Sequence, residues 1–212
     1  MKLYTYFRSS AAFRVRIALN LKGLAYEPAF VHLPKGEHHD ASYARLNRQG
    51  LLPTLDDGGV LLNQSLAIIQ YLEETRPTPA LLPKDPVGRA RVRSLALLVA
   101  CEIHPLNNLR TLQHLKRALG QDEEQIKLWY RHWIADGLAK LEAELAQTKG
   151  TGRYCHGDSP TMADCCLVPQ LFNAKRYDSD LAPYPTVTRV FDACMKLDAF
   201  DRAQPSKQPD AE

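Results

Sequence analysis

The sequence predicts a small α/β domain over residues 1–80 followed by an all-helical domain over 87–212, joined by a linker at 81–86. Three observations carry that prediction. Short apolar runs of strand length dominate the first part of the chain, while the apolar residues after position 87 recur at helical spacing. Between them, residues 76–86 hold four prolines and can be neither helix nor sheet.

Residues 3–7 are apolar or aromatic on both faces, which suits a strand inside a sheet rather than at its edge. From Ala12 onward Phe13, Val15, Ile17, Ala18 and Leu21 fall at helical intervals, leaving Arg14 and Arg16 for the outer face. Ser9 and Ser10 stand at the join. A hydroxyl there can cap the helix, worth about 1 kcal/mol. Alternatively, two hydroxyls, the free N–H groups of the first turn and the positive end of the helix dipole can hold an anion, and a thiolate held there would ionise more easily. Arg8-Ser9-Ser10-Ala11 has none of the glycines of a phosphate loop, which argues against a dinucleotide.

Residues 26–31 read as a second strand, 35–40 as a charged loop carrying His38 and His39, and 42–46 as a short helix. Residues 51–62 read as a hairpin around an Asp-Gly turn. Pro53 has no N–H for a ladder and marks a strand start. A cis peptide at that position would turn the Leu52 backbone outward, where it could pair with a peptide-like ligand as another strand would; an ordinary strand-start proline is the other reading. Gln64 and Ser65 then open a helix over 66–74, with Ser65 as its cap. An amide and a hydroxyl at a helix start suit a carboxylate. Two anion seats in one small domain point to a ligand with a thiol at one end and a carboxylate at the other.

Past the linker, 87–119 reads as one long helix kinked just before Pro105, and 123–147 as another with a regular apolar stripe. Thr161 and Asp164 have capping-box spacing, starting a helix that runs through Cys165, Cys166 and Leu171 to about Arg176 and is apolar enough to be buried.

A net charge of +3, scattered along the chain, gives no reason to expect nucleic acid or a membrane surface as partner. No apolar run approaches the roughly 20 residues that span a bilayer, and Met1-Lys2-Leu3-Tyr4 enters a strand without a signal-peptide core, so a cytoplasmic protein is expected. The five cysteines include no C-x-x-C pair and read as reduced thiols in a core; the seven histidines show no ligand spacing, so no metal is expected.

Strand-SerSer-helix, Leu52-Pro53, Gln64-Ser65, the proline linker, the helical remainder and the Thr161–Asp164 cap together resemble the glutathione transferase fold, a thioredoxin-like domain followed by an all-α domain, over essentially the whole chain. Tyr6-Phe7-Arg8-Ser9-Ser10, Phe13-Arg14-Val15-Arg16-Ile17-Ala18-Leu19 and Gln64-Ser65-Leu66-Ala67-Ile68-Ile69 resemble the zeta class more narrowly. That resemblance implies a homodimer with glutathione as cofactor. It also implies a small dicarboxylate substrate, maleylpyruvate of gentisate catabolism, taken from cis to trans by thiolate addition, bond rotation and elimination. Alternatives are maleylacetoacetate as substrate, general transferase activity, or glutathione binding without catalysis.

Matched position by position, the resemblance implies that Ser9 and Ser10 hold the thiolate beside Ala11, that Leu52 pairs with the cysteinyl unit, that Gln64 and Ser65 take the γ-glutamyl carboxylate and that His38 reaches the glycyl end. His104, Asn108 and Arg110 would line the cleft. Arg8, Arg110 and Arg176 would clamp the substrate while His104 orients glutathione or polarises the ketone. The chain departs from the pattern twice: Ala11 stands where a cysteine is usual, and His104 and Arg110 replace uncharged polar residues. On a straight helix Arg110 would lie roughly 240° around from His104, making Asn108 the nearer partner.

Overall fold

Four short strands form one mixed sheet in the order β2-β1-β3-β4: β1 (Lys2–Thr5), β2 (Glu27–Phe30), β3 (Thr54–Asp57) and β4 (Val60–Asn63). The computed structural model describes all 212 residues. β1 is central, parallel to β2 and antiparallel to β3, with Leu3 opposite Leu55 and both side chains out of solvent. The hairpin of β3 and β4 turns at Gly58-Gly59, whose φ values of 66° and 93° are the positive pair that a two-residue hairpin loop needs.

Helix α1 (Ser10–Leu21) makes the crossover between the parallel strands. Of the residues read as its apolar face, Phe13, Val15, Ile17 and Ala18 are buried, Leu21 at the helix end is only half-buried, and Leu19 is buried as well. Arg14 and Arg16, expected on the outer face, are buried as well, and Arg16 is 0% exposed. Burial is tolerated because the guanidinium has partners: Nε donates to Ala203 O (3.0 Å), Nη1 to Thr5 Oγ1 (3.0 Å) and Tyr6 O (3.3 Å), and Nη2 to Phe7 O (3.0 Å). Burial brings its pKa down to about 10, which leaves it charged at neutral pH.

A helical turn at Glu37–His39, α2 (Ala41–Ala44) and α3 (Ser65–Thr75) complete the run to the linker. Lys22, at the end of α1, is buried against Glu73 of α3 (2.8 Å) and also donates to Arg76 O (2.8 Å) and Pro79 O (2.9 Å). Glu73 in turn accepts from the N–H groups of Leu81 and Leu82. The pair therefore fastens the proline-rich stretch to α1 and α3 with every ammonium proton used.

The chain divides into two units, Met1–Leu82 together with Met195–Glu212, and Pro83–Cys194. Reading punctuation alone carries the helical domain to residue 212; instead, the last segment, with α9 (Asp198–Asp201) and a turn at Pro205–Lys207, packs in the first unit. Arg16 on Ala203 O and the Phe7 N–H on Asp210 Oδ2 (2.9 Å) account for that placement.

The second unit is helical: α4 (Pro86–Leu97), α5 (Leu109–Arg117), α6 (Glu123–Gln147), α7 (Met162–Arg176) and α8 (Pro185–Met195). The single kinked helix expected over 87–119 is two helices. After α4 the chain widens into a π-helical turn at Leu98–Ile103 and tightens into a 3-10 turn at His104–Asn107, and Asn108 (φ −77°, ψ 163°) leaves helical conformation and caps α5. Ile103 sits so close to α6 that a Cβ on Gly137 would lie 2.3 Å from its side chain, so only glycine fits there. Helix α7 starts at the predicted box: Asp164 Oδ2 accepts from the Thr161 N–H (2.7 Å) and hydroxyl (2.8 Å), and its Oδ1 from the Cys155 N–H (2.8 Å). Cys155, Cys165, Cys166 and Cys194 are buried as expected, whereas Cys101 is exposed. No helix is long and apolar enough to cross a membrane.

Candidate functional site

Three backbone features converge in the first unit. The first is the start of α1. Ser9, extended at φ −69° and ψ 110°, places its Oγ 3.2 Å from the Ala12 N–H and caps the helix. That bond uses the hydroxyl as acceptor, so its proton is still available for an anion in front of the helix. Capping and anion binding are compatible uses of one side chain. Ser10 is the first helical residue and buried, and Ala11 follows it inside the helix.

The second feature is the entry to β3. The Leu52–Pro53 peptide is cis. The Tyr43 hydroxyl and Asn47 Nδ2 both bond Leu51 O (2.6 and 2.8 Å) and Thr54 Oγ1 (2.8 and 3.1 Å), bracketing the bend from both sides. Between those anchors the N–H and C=O of Leu52 have no partner within the chain, which leaves them the pairing edge that an extended peptide needs.

The third feature is the start of α3. Gln64 sits at φ 69° and ψ 115°, a left-handed backbone that costs a non-glycine residue of order 1–3 kcal/mol and clusters at functional sites. This bend takes the chain from β4 into α3 within one residue. Gln64 therefore holds the cap position and Ser65, expected to cap, is the first helical residue. Ser65 Oγ instead accepts from Arg14 Nη1 (3.2 Å), which ties the starts of α1 and α3 together. The Gln64 side chain donates to Gln49 Oε1 (2.7 Å).

His38 lies in the turn at Glu37–His39, its ring 3.9 Å from that of His39. Its Nδ1 is buried without a partner, and burial together with His39 holds its pKa below the ordinary histidine value. Arg8 follows β1 in the turn, exposed, with its guanidinium 4.9 Å from the Phe7 ring.

The remaining predicted residues belong to the second unit. His104 opens the 3-10 turn, which is held to α6 by Asn107 Nδ2 on Tyr130 O (3.4 Å) and Trp129 Nε1 on Leu106 O (2.8 Å). Asn108 does not pair with His104, because the helix does not continue between them. Its Oδ1 accepts from the Thr111 N–H (3.1 Å) and hydroxyl (3.2 Å) as the cap of α5. Arg110 is the second residue of α5 and exposed. Arg176 ends α7, exposed, its guanidinium 4.9 Å from the Tyr177 ring, and Tyr177 stacks on buried Tyr130 at 3.6 Å and 9°. Burial pushes the Tyr130 hydroxyl up, so it stays neutral. Tyr130 thus links the turn bearing His104 to the helix end bearing Arg176.

Sequence reasoning missed Arg14, Tyr43, Asn47 and Gln49 as supports. Arg14 gave no signal beyond its misleading place on the helical wheel. Asn108 carried one, an asparagine three residues before a threonine at the start of a fresh apolar repeat.

Residues 3–80 match the model of the glutathione S-transferase N-terminal domain, and residues 109–193 that of its C-terminal domain. Over 211 residues, 100% of both chains, the protein is 53% identical to a maleylpyruvate isomerase of a Ralstonia species. The chain belongs to the glutathione S-transferase family. Among solved glutathione S-transferase structures, the holo form of a bacterial zeta-class maleyl pyruvate isomerase superposes with a TM-score of 0.98 at 52% identity, all of both chains covered. A maleylacetoacetate isomerase of Methylobacterium extorquens, solved with malonate and glutathione bound, superposes with a TM-score of 0.97 at 46% identity and the same coverage.

Proposed function

We propose that this glutathione S-transferase is a glutathione-dependent cis–trans isomerase that converts maleylpyruvate to fumarylpyruvate, working in the cytoplasm as a homodimer. The full-length likeness to the Ralstonia maleylpyruvate isomerase carries the reading. The first unit supports it, because its groups suit glutathione: a helix start with a capping hydroxyl for the sulfur, an unpaired backbone edge at Leu52 for the cysteinyl peptide, a second helix start at Gln64 and Ser65 for the γ-glutamyl carboxylate, and the unpartnered Nδ1 of His38 for the glycyl end.

When bound, glutathione supplies the thiolate that adds reversibly to the activated double bond and so frees it to rotate. The chain's own residues do the rest. Ser9 and Ser10, with the N–H groups and dipole of α1, stabilise negative charge on the sulfur. Alanine at position 11 means that no thiol of the protein stands there to compete as nucleophile. Arg8, Arg110 and Arg176 bind the two carboxylates and the ketone oxygen toward which charge moves, a task suited to a planar cation that never deprotonates at working pH. His104 orients glutathione or polarises the ketone.

A second reading, maleylacetoacetate as substrate, is favoured by the Methylobacterium neighbour. Measuring kcat/KM for both substrates at saturating glutathione tests the choice. A higher value for maleylpyruvate supports the proposal, and a higher value for maleylacetoacetate replaces it with the second reading.

A further inference from the structure

The turn that carries Ser9 is gripped by groups that belong neither to it nor to any ligand. Phe7, two residues before Ser9, has its carbonyl on Arg16 Nη2 (3.0 Å) and its N–H on Asp210 Oδ2 (2.9 Å), so a buried cation and a carboxylate bracket one residue from opposite sides. Arg16 also holds Thr5 and Tyr6, while the Ser9 N–H returns to Tyr6 O (2.9 Å). Asp210 comes from the end of the chain, 203 residues away in sequence, and its second oxygen, Oδ1, is buried with no partner. Its place is therefore set by the Phe7 bond, by attraction to Arg16 and by the segment that carries it. That segment is fastened at Asn20 Nδ2 on Ala199 O (3.0 Å), Arg16 on Ala203 O and His32 on Glu212 (3.0 Å). The titratable groups acting on Arg16 are Tyr26 and Asp210, and the Arg8 guanidinium lies 4.9 Å from the Phe7 ring.

We propose that Asp210 is a positioning residue for the sulfur site: through the Phe7 N–H it fixes the direction of the first turn of α1, and with it the Ser9 hydroxyl, and so sets how readily bound glutathione ionises. Hydrogen bonds to an anion weaken steeply as donors tilt away from it, so a loosened turn loses thiolate stabilisation without losing any group that touches the ligand. The inference rests on the glutathione site proposed above, but not on the identity of the olefinic substrate.

The test compares the full-length parent with Asp210→Ala and Asp210→Asn. The thiol of bound glutathione is titrated by its ultraviolet thiolate absorbance, alongside amide hydrogen exchange at Phe7, maleylpyruvate turnover and thermal melting. Asp210→Ala is expected to speed Phe7 exchange and raise the bound thiol pKa by about one unit, a tenfold loss of thiolate below that pKa, with kcat falling to match. Asp210→Asn, which keeps an acceptor for the Phe7 N–H, should recover most of both. An unchanged thiol pKa in Asp210→Ala overturns the proposal, as does an equal rise in both variants. A parent that lowers the thiol pKa yet leaves maleylpyruvate unchanged overturns the isomerase reading alone.

Discussion

Replacing Ser9 by alanine separates the two uses of its hydroxyl. The 3.2 Å bond to the Ala12 N–H is a helix cap, and its loss costs about 1 kcal/mol of stability, within a range of roughly 0.5–2. If the same hydroxyl donates its proton to a thiolate, a hydrogen bond to a charged group worth about 1.5–3 kcal/mol goes as well. At about 1.4 kcal/mol per pKa unit, that raises the pKa of bound glutathione by about one to two units and lowers turnover at neutral pH by about 10- to 100-fold. Denaturant unfolding measures the first quantity, and ultraviolet titration of the binary complex with steady-state kinetics measures the second. Ser9→Thr, which keeps a hydroxyl, should restore both in large part. A Ser9→Ala protein that loses the stability of a cap while its bound thiol titrates as in the parent would reduce Ser9 to a structural residue and refute the sulfur-holding role.

Lys22→Met leaves Glu73 buried with only the Leu81 and Leu82 N–H groups, so unfolding free energy should drop by about 3–5 kcal/mol in denaturant melts; a loss under 1 kcal/mol would contradict the account of the linker. His38→Ala should raise KM for glutathione about tenfold with little change in kcat, from loss of one hydrogen bond to a charged group. Because burial depresses its folded-state pKa, His38 favours the folded protein above its unfolded value near 6.5, and this contribution is lost as pH falls through the lower folded value. Acidification through that lower value makes His38 a cation, so KM for glutathione should fall with pH in the parent but not in His38→Ala, and parallel profiles would remove His38 from the site. Arg110→Ala and Arg176→Ala should each raise KM for maleylpyruvate or lower kcat by about tenfold through loss of a charge-assisted contact; unchanged kinetics in both would take them out of the substrate clamp. With four cysteines buried and the Cys155 and Cys194 thiols pushed up by burial beside Asp164, a chromogenic disulfide reagent should titrate Cys101 alone in the native protein, and a second fast thiol would count against the core described here.

Local chemistry was legible in the sequence wherever it was written in neighbouring residues. The hairpin, α6, the Thr161–Asp164 box and the serine cap of α1 all depend on side chains within four positions of one another. Contacts made across the chain were not legible. A helical wheel puts Arg14 and Arg16 outside because it counts polarity, and it cannot know that Ser65 and Ala203 will supply acceptors 51 and 187 residues away. The same limit hid the return of Met195–Glu212 to the first unit, since the acceptors that place it, Ala203 O for Arg16 and Asp210 Oδ2 for the Phe7 N–H, pair with residues 187 and 203 positions away. Pro105 announced a disturbance, but its form, a π-helical turn and then a separately capped helix, was decided by the fit of Ile103 against Gly137 and by Asn108. Gln64 could not be read as the cap position because its positive φ belongs to a residue type that rarely adopts one.

The account stands on glutathione being used and returned while the double bond turns over. Proton NMR of maleylpyruvate incubated with catalytic protein, with and without a substoichiometric amount of glutathione, follows both at once. Complete conversion to fumarylpyruvate only when glutathione is present, with its cysteinyl signals undiminished at the end, is the predicted result. Conversion that proceeds equally without glutathione, or that stops once one molecule of glutathione is consumed per molecule of substrate, would contradict it.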